Sequence, residues 1–115
     1  MSRVFVVQDS PNKNILSAEK YGELKILLPE NRRVSFIASP VVRQLRRELK
    51  DFGDSDHILA IGDPAAIGIA CAVAADVNDG RFRMLKWDKI ESCYYSVTVD
   101  IFCDERTGYD DQEAV

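Results

Sequence analysis

Apolar positions along this chain fall into short runs separated by polar turns, and the period of those runs changes twice. Val4, Phe5, Val6 and Val7 form an unbroken apolar run that predicts a strand. Residues 8–14, with Pro11, Asn12 and Asn14, read as a loop. Residues 17–22 suit a single helical turn closed by Gly22. Residues 23–28 alternate as a strand that Pro29 ends, and residues 34–37 fit either a further short strand or an extended connector. The period then lengthens. Val41, Val42, Leu45, Leu49 and Phe52 share one face of an amphipathic helix from Pro40 to about Phe52. Ser39-Pro40 supplies its start and Gly53 its stop.

The chain is organised around the next stretch. Ile58, Leu59, Ala60 and Ile61 lie between polar residues 54–56 and Gly62-Asp63-Pro64, as expected of a strand covered on both faces. Asp63 and Pro64 start a helix: the carboxylate accepts from a free first-turn N–H, and proline needs none. The helix runs to about Val77, where Asn78-Asp79-Gly80 ends it. It has almost no polar face. Ala66, Ala70 and Ala74 form one stripe, Gly68, Ala72 and Asp76 a second, Ile67, Cys71 and Ala75 a third. A helix apolar on all sides is expected to be internal. Its apolar stretch falls well short of the ~20 residues that cross a bilayer. Residues 81–87 and 93–102 then read as two strands of a hairpin joined by a polar turn. The predicted fold is α/β or α+β: a mixed sheet of about five strands with two helices. A central right-handed βαβ unit is followed by a β-hairpin.

A length of 115 residues with 46% hydrophobic and 30% charged content predicts one globular domain. That domain is placed at residues 1–102. Residues 103–115, rich in Asp and Glu, are expected to form a frayed acidic tail. Three cysteines and one histidine, His57, fit neither a disulfide framework nor a zinc site, so no metal and no cofactor are expected. Free thiols and the absence of a signal-peptide core or membrane span point to a cytoplasmic setting.

Candidate chemistry changes this picture only at the surface. Arg43, Arg46, Arg47 and Lys50, with Arg32 and Arg33 upstream, make a compact positive patch suited to a partner carboxylate or a nucleic-acid phosphate. The plainer reading is a solvated helix face. A secondary surface combines Arg81, Arg83 and Lys86 with Tyr94 and Tyr95, since single-stranded nucleic acid needs exposed rings beside charge. Trp87 and Lys89 lie close by in sequence. Gly62 and Asp63 stand where α/β proteins place phosphates. No phosphate-binding glycine pattern surrounds them, Asp63 puts negative charge there, and Pro64 removes a donor. No catalytic set is identifiable, and an enzyme is not expected. The expected function is a non-enzymatic binding protein acting by protein–protein contact or self-association. A nucleic-acid module using the arginine helix is the first alternative, and a nucleotide or phosphate binder at the Gly62-Asp63 junction the second.

Three segments carry a resemblance: Ala18-Glu19-Lys20-Tyr21-Gly22-Glu23-Leu24; Ile61-Gly62-Asp63-Pro64-Ala65-Ala66-Ile67-Gly68; and Leu85-Lys86-Trp87-Asp88 with Tyr94-Tyr95. Together they resemble small hypothetical proteins of tailed bacteriophages. The resemblance implies a phage-encoded protein working in a bacterial host cytoplasm, where the binding protein expected above would be an accessory factor. It carries no activity and no catalytic residue.

Overall fold

The computed structural model describes residues 2–103. Five strands form one sheet in the order β2-β1-β3-β4-β5. They are β1 (Arg3–Gln8), β2 (Glu23–Leu28), β3 (His57–Leu59), β4 (Arg81–Asp88) and β5 (Cys93–Asp100). The first four are parallel, and β5 returns antiparallel to β4. The α-helices are α1 (Ser39–Glu48) and α2 (Pro64–Val77), and a 3₁₀ helix spans Leu16–Tyr21. The expected mixed sheet, βαβ unit and terminal hairpin are all present. Residues 34–37 form a connector rather than a strand.

The two faces are covered unequally. Phe5, Val7 and Ile58 point to the side of α1 and α2, where Val41, Leu45, Leu49, Ala66, Ala70 and Val73 close the larger core. Val4, Val6, Leu59 and Leu85 point the other way, onto Ala18 of the 3₁₀ helix and Tyr94. The crossover from β1 to β2 runs one way along the sheet, and those through α1 and α2 run the other. A single crossover hand therefore demands opposite faces, as found.

Three helix details depart from expectation. Ser39 is not a cap: Ala38 takes that position, and no side chain bonds the first turn of α1. The helix also stops at Glu48, four residues before Phe52. Leu49 and Phe52 are still buried, because the turn after the helix carries them onto the same core. The third concerns α2, which is capped as expected, Asp63 accepting from the Ala65 N–H at 2.9 Å. It is not internal, however. It lies on the sheet beside α1, with Ala65, Gly68, Ala72 and Asp76 exposed. Methyl-sized side chains lose little by facing water, so an all-apolar helix of this composition tolerates an open side.

An ion pair the sequence did not announce holds the amino-terminal edge of the sheet. The Asp56 carboxylate is buried and accepts from the backbone N–H of Arg3 at 3.0 Å, from its guanidinium at 2.9 Å and from the Gly53 N–H at 2.9 Å. The ion pair and hydrogen bond with Asp56 hold the Arg3 guanidinium firmly protonated, against the cost of burial.

Candidate binding site

A cleft opens at the carboxyl edge of the sheet because β3 ends early. Its last pair with β4 is Leu59 with Leu85, while β4 continues to Asp88 against Cys93 of β5. Beyond Leu59 the chain turns sharply, the Ile61 N–H donating to the Leu59 carbonyl at 2.9 Å. Ile61 is then drawn towards β1, accepting from the Gln8 N–H at 3.1 Å. Lys86, Trp87 and Asp88 are left with no ladder neighbour on that side.

The resulting cleft has a volume of about 1090 Å³. Leu59, Ile61, Ile67, Met84 and Leu85 give it an apolar base. Trp87 and Tyr95 stand on its rim, 37% and 40% exposed, so each ring keeps an accessible surface. Lys13, Lys86 and Lys89 supply the charge, and Asn12 and Asn14 the amides. Among the described residues no carboxylate lines the cleft, although the chain carries a net charge of −4. Asp88, next to Trp87, is engaged elsewhere. Its carboxylate accepts from the Ile90 and Glu91 N–H groups at 2.9 and 3.2 Å and shapes the hairpin turn.

Tyr94 builds the cleft rather than lining it loosely. Its hydroxyl donates to the Asn14 carbonyl at 2.9 Å, and its own carbonyl accepts from the Tyr21 hydroxyl at 3.0 Å. Trp87 packs edge-on against its ring, with centroids 4.9 Å apart at 74°. Burial raises the Tyr94 phenol above its usual range and keeps it a donor at neutral pH.

The neighbouring Gly62-Asp63 junction is filled by the chain's own polar groups. Gln8 donates to the Pro29 and Arg32 carbonyls and accepts from the Asp63 N–H at 2.8 Å. The second Asp63 oxygen accepts from the Val34 N–H at 3.3 Å. An anion at this helix start would meet a carboxylate already in place.

A family model for phage Pam3 gp32-like proteins matches residues 2–101. The chain belongs to that family. The match takes in every strand and helix described above, and the expected link to bacteriophages holds. No curated protein and no solved structure matches the chain.

In this member of the family, the predicted basic residues separate into distinct environments. On α1, Arg43 and Arg47 are exposed one turn apart, and Lys50 is exposed in the turn that follows the helix. Arg46 instead reaches α2 and pairs with Asp76 at 2.6 Å. Arg32 donates to Gln44 of α1 at 3.1 Å, and Arg33 is exposed. The secondary surface does not hold together. Arg81 pairs with Asp54 at 3.4 Å, and Arg83 donates to the Asp54 carbonyl, both at the amino-terminal end. Lys86 and Tyr95 face each other across the hairpin at the opposite end. Tyr94 is buried on the other face. Alternation along β4 puts Arg81 and Arg83 on one face and Lys86 on the other, a division that follows from period two. In sequence, Lys13 and the two asparagines of the cleft carry only loop signals, and no local signal ties them to β4.

Among the described residues, no cluster of His, Cys, Asp and Glu could hold a metal ion, and no helix is long and apolar enough to cross a membrane. The expected acidic tail lies outside the described residues, apart from Cys103.

Proposed function

We propose that this domain is a non-enzymatic binding protein, a phage accessory factor that works by protein–protein contact, first of all with a second copy of itself. The observation that carries this reading is the outer edge of β5. Among the described residues β5 pairs only with β4, in an unbroken eight-residue register from Arg81 with Asp100 to Asp88 with Cys93. An edge of this length is normally blunted by lysine, proline or a bulge. β5 has none of these along Cys-Tyr-Tyr-Ser-Val-Thr-Val-Asp. The opposite edge, β2, carries Glu23 and Lys25 and ends at Pro29. Antiparallel pairing of β5 with its copy about a two-fold axis at Val97 sets Tyr95 opposite Val99 and extends one apolar stripe across both chains.

Light scattering after size exclusion tests this. The wild type is expected to elute at twice the chain mass, and Val97→Lys as a monomer with an unchanged circular dichroism spectrum. A monomeric wild type throughout the micromolar range would refute self-association.

The exposed Arg43, Arg47 and Lys50 group favours a second reading, contact with nucleic-acid phosphates. Its binding would weaken linearly in log salt and vanish in Arg43→Glu/Arg47→Glu.

A further inference from the structure

We propose that the cleft between the residue 12–14 loop and the end of β4 is a site for a nucleoside phosphate, held by lysine side chains rather than by a helix start. Three features of the cleft converge on that class of ligand. Lys13, Lys86 and Lys89 give it positive charge with no carboxylate in its lining among the described residues, within a chain that is negative overall. Such local reversal of sign concentrates anions. Trp87 offers a partly exposed indole to the same cleft, on the face of β4 opposite Lys86, and aromatic rings near cations suit a nucleobase adjoining its phosphate. Asn14 is fixed at the rim through its backbone bond to Tyr94, its amide oxygen accepts from the Ser17 N–H at 3.3 Å, and its NH₂ is the group that can donate to a base edge.

Size and position agree. About 1090 Å³ lies just above the range of small-molecule sites, roughly 300 to 1,000 Å³, so a nucleotide fits with room to spare. The cleft also lies outside the carboxyl ends of parallel strands, where open α/β sheets bind ligands. The adjoining Gly62-Asp63 turn is closed by Gln8 and by its own carboxylate, so the lysines are the phosphate-binding groups here.

The shared chemistry, base plus phosphate, has two sources: a free nucleotide or a nucleotide within a single strand. Trp87 is the sole tryptophan of the chain, so intrinsic fluorescence reports directly on the cleft. The experiment titrates full-length protein with the four ribonucleoside 5′-monophosphates, with a mixed-sequence single-stranded oligonucleotide, and with adenosine and inorganic phosphate separately. The expected result is saturable quenching by at least one nucleotide or by the oligonucleotide. Adenosine or phosphate alone should bind at least about tenfold more weakly, the worth of one charge-assisted contact. Tighter binding of the oligonucleotide, per nucleotide, identifies the single strand as the source. Equal or tighter binding of a monophosphate identifies the free nucleotide.

Lys86→Gln and Lys89→Gln lie on exposed side chains and should each weaken binding about tenfold without moving the melting temperature. Lys25→Gln, exposed on the far edge strand β2, should change nothing. No saturable quenching by any phosphate-bearing probe overturns the proposal. So does binding that survives both lysine substitutions, or adenosine binding as tightly as its monophosphate.

Discussion

The hydroxyl of Tyr94 donates to the carbonyl of Asn14, 80 positions earlier in the chain, at 2.9 Å. This single bond fastens the loop after β1 to the last strand and sets the width of the cleft. Tyr94→Phe keeps the ring and removes the bond. It is expected to cost about 1 kcal/mol, a typical net hydrogen bond. The loop amides should exchange faster while β4 and β5 stay protected, which hydrogen–deuterium exchange would resolve.

Removing the cation of the Arg3–Asp56 pair should be more damaging. Asp56 is 2% exposed and would lose the guanidinium that pairs with it. Breaking a buried pair costs roughly 3–5 kcal/mol, and the 29% exposure of Arg3 sets the expectation for Arg3→Leu near the lower figure. Urea unfolding measures it. A loss below 1 kcal/mol would mean that water replaces the guanidinium.

His57 predicts how stability depends on pH. It opens β3, is buried, and its ring lies 5.3 Å from Tyr21. Its Nδ1 has no hydrogen-bond partner among the described residues. Burial, reinforced by the charge of Arg83, pushes the imidazole below its ordinary value of 6.5, and Asp56 opposes this only in part. The unfolded chain therefore takes up a proton near pH 6.5 that the folded chain refuses. Stability is full above that pH and falls as pH drops below it, towards the depressed folded value. His57→Gln should flatten this part of the profile. An unchanged slope between pH 7 and 5 would place the titrating group elsewhere.

Gly62→Ala tests the turn that opens the cleft. Gly62 has a φ of +123°, and a Cβ there would lie 2.4 Å from the Cβ of Gln8. The backbone alone should cost about 1–3 kcal/mol. Displacement of Gln8 would also free the Pro29 and Arg32 carbonyls it binds. A melting temperature equal to that of the wild type would show that the turn is not held as described.

Much of the fold was legible because the apolar pattern and the turn chemistry agreed. Asp63-Pro64 and Asn78-Asp79-Gly80 bracket α2 at its observed ends, and the Cys93 strand is the hairpin partner expected from its β-branched and aromatic content. The end of α1 was not legible, since Leu49 and Phe52 keep helical spacing while the backbone has already left the helix. The arginine patch was legible as a surface, but Arg46 was not separable from it, because its partner Asp76 sits 30 residues away on another helix. The cleft depends on where β3 stops relative to β4. Strand register across a crossover leaves no local signature, and Lys13 meets Lys86 at one site only through that register.

The brevity of β3 reaches beyond the cleft. The sheet is effectively two stiff panels, β2 with β1 and β4 with β5, stitched together by three residues, His57, Ile58 and Leu59. Few backbone bonds cross that seam, so a load applied across the sheet concentrates there. Side-chain packing therefore carries what the backbone does not: Phe5, Leu28 and Ile58 with both helices on one face, and Val6, Leu59, Leu85 and Tyr94 on the other, clamp the two panels into one unit.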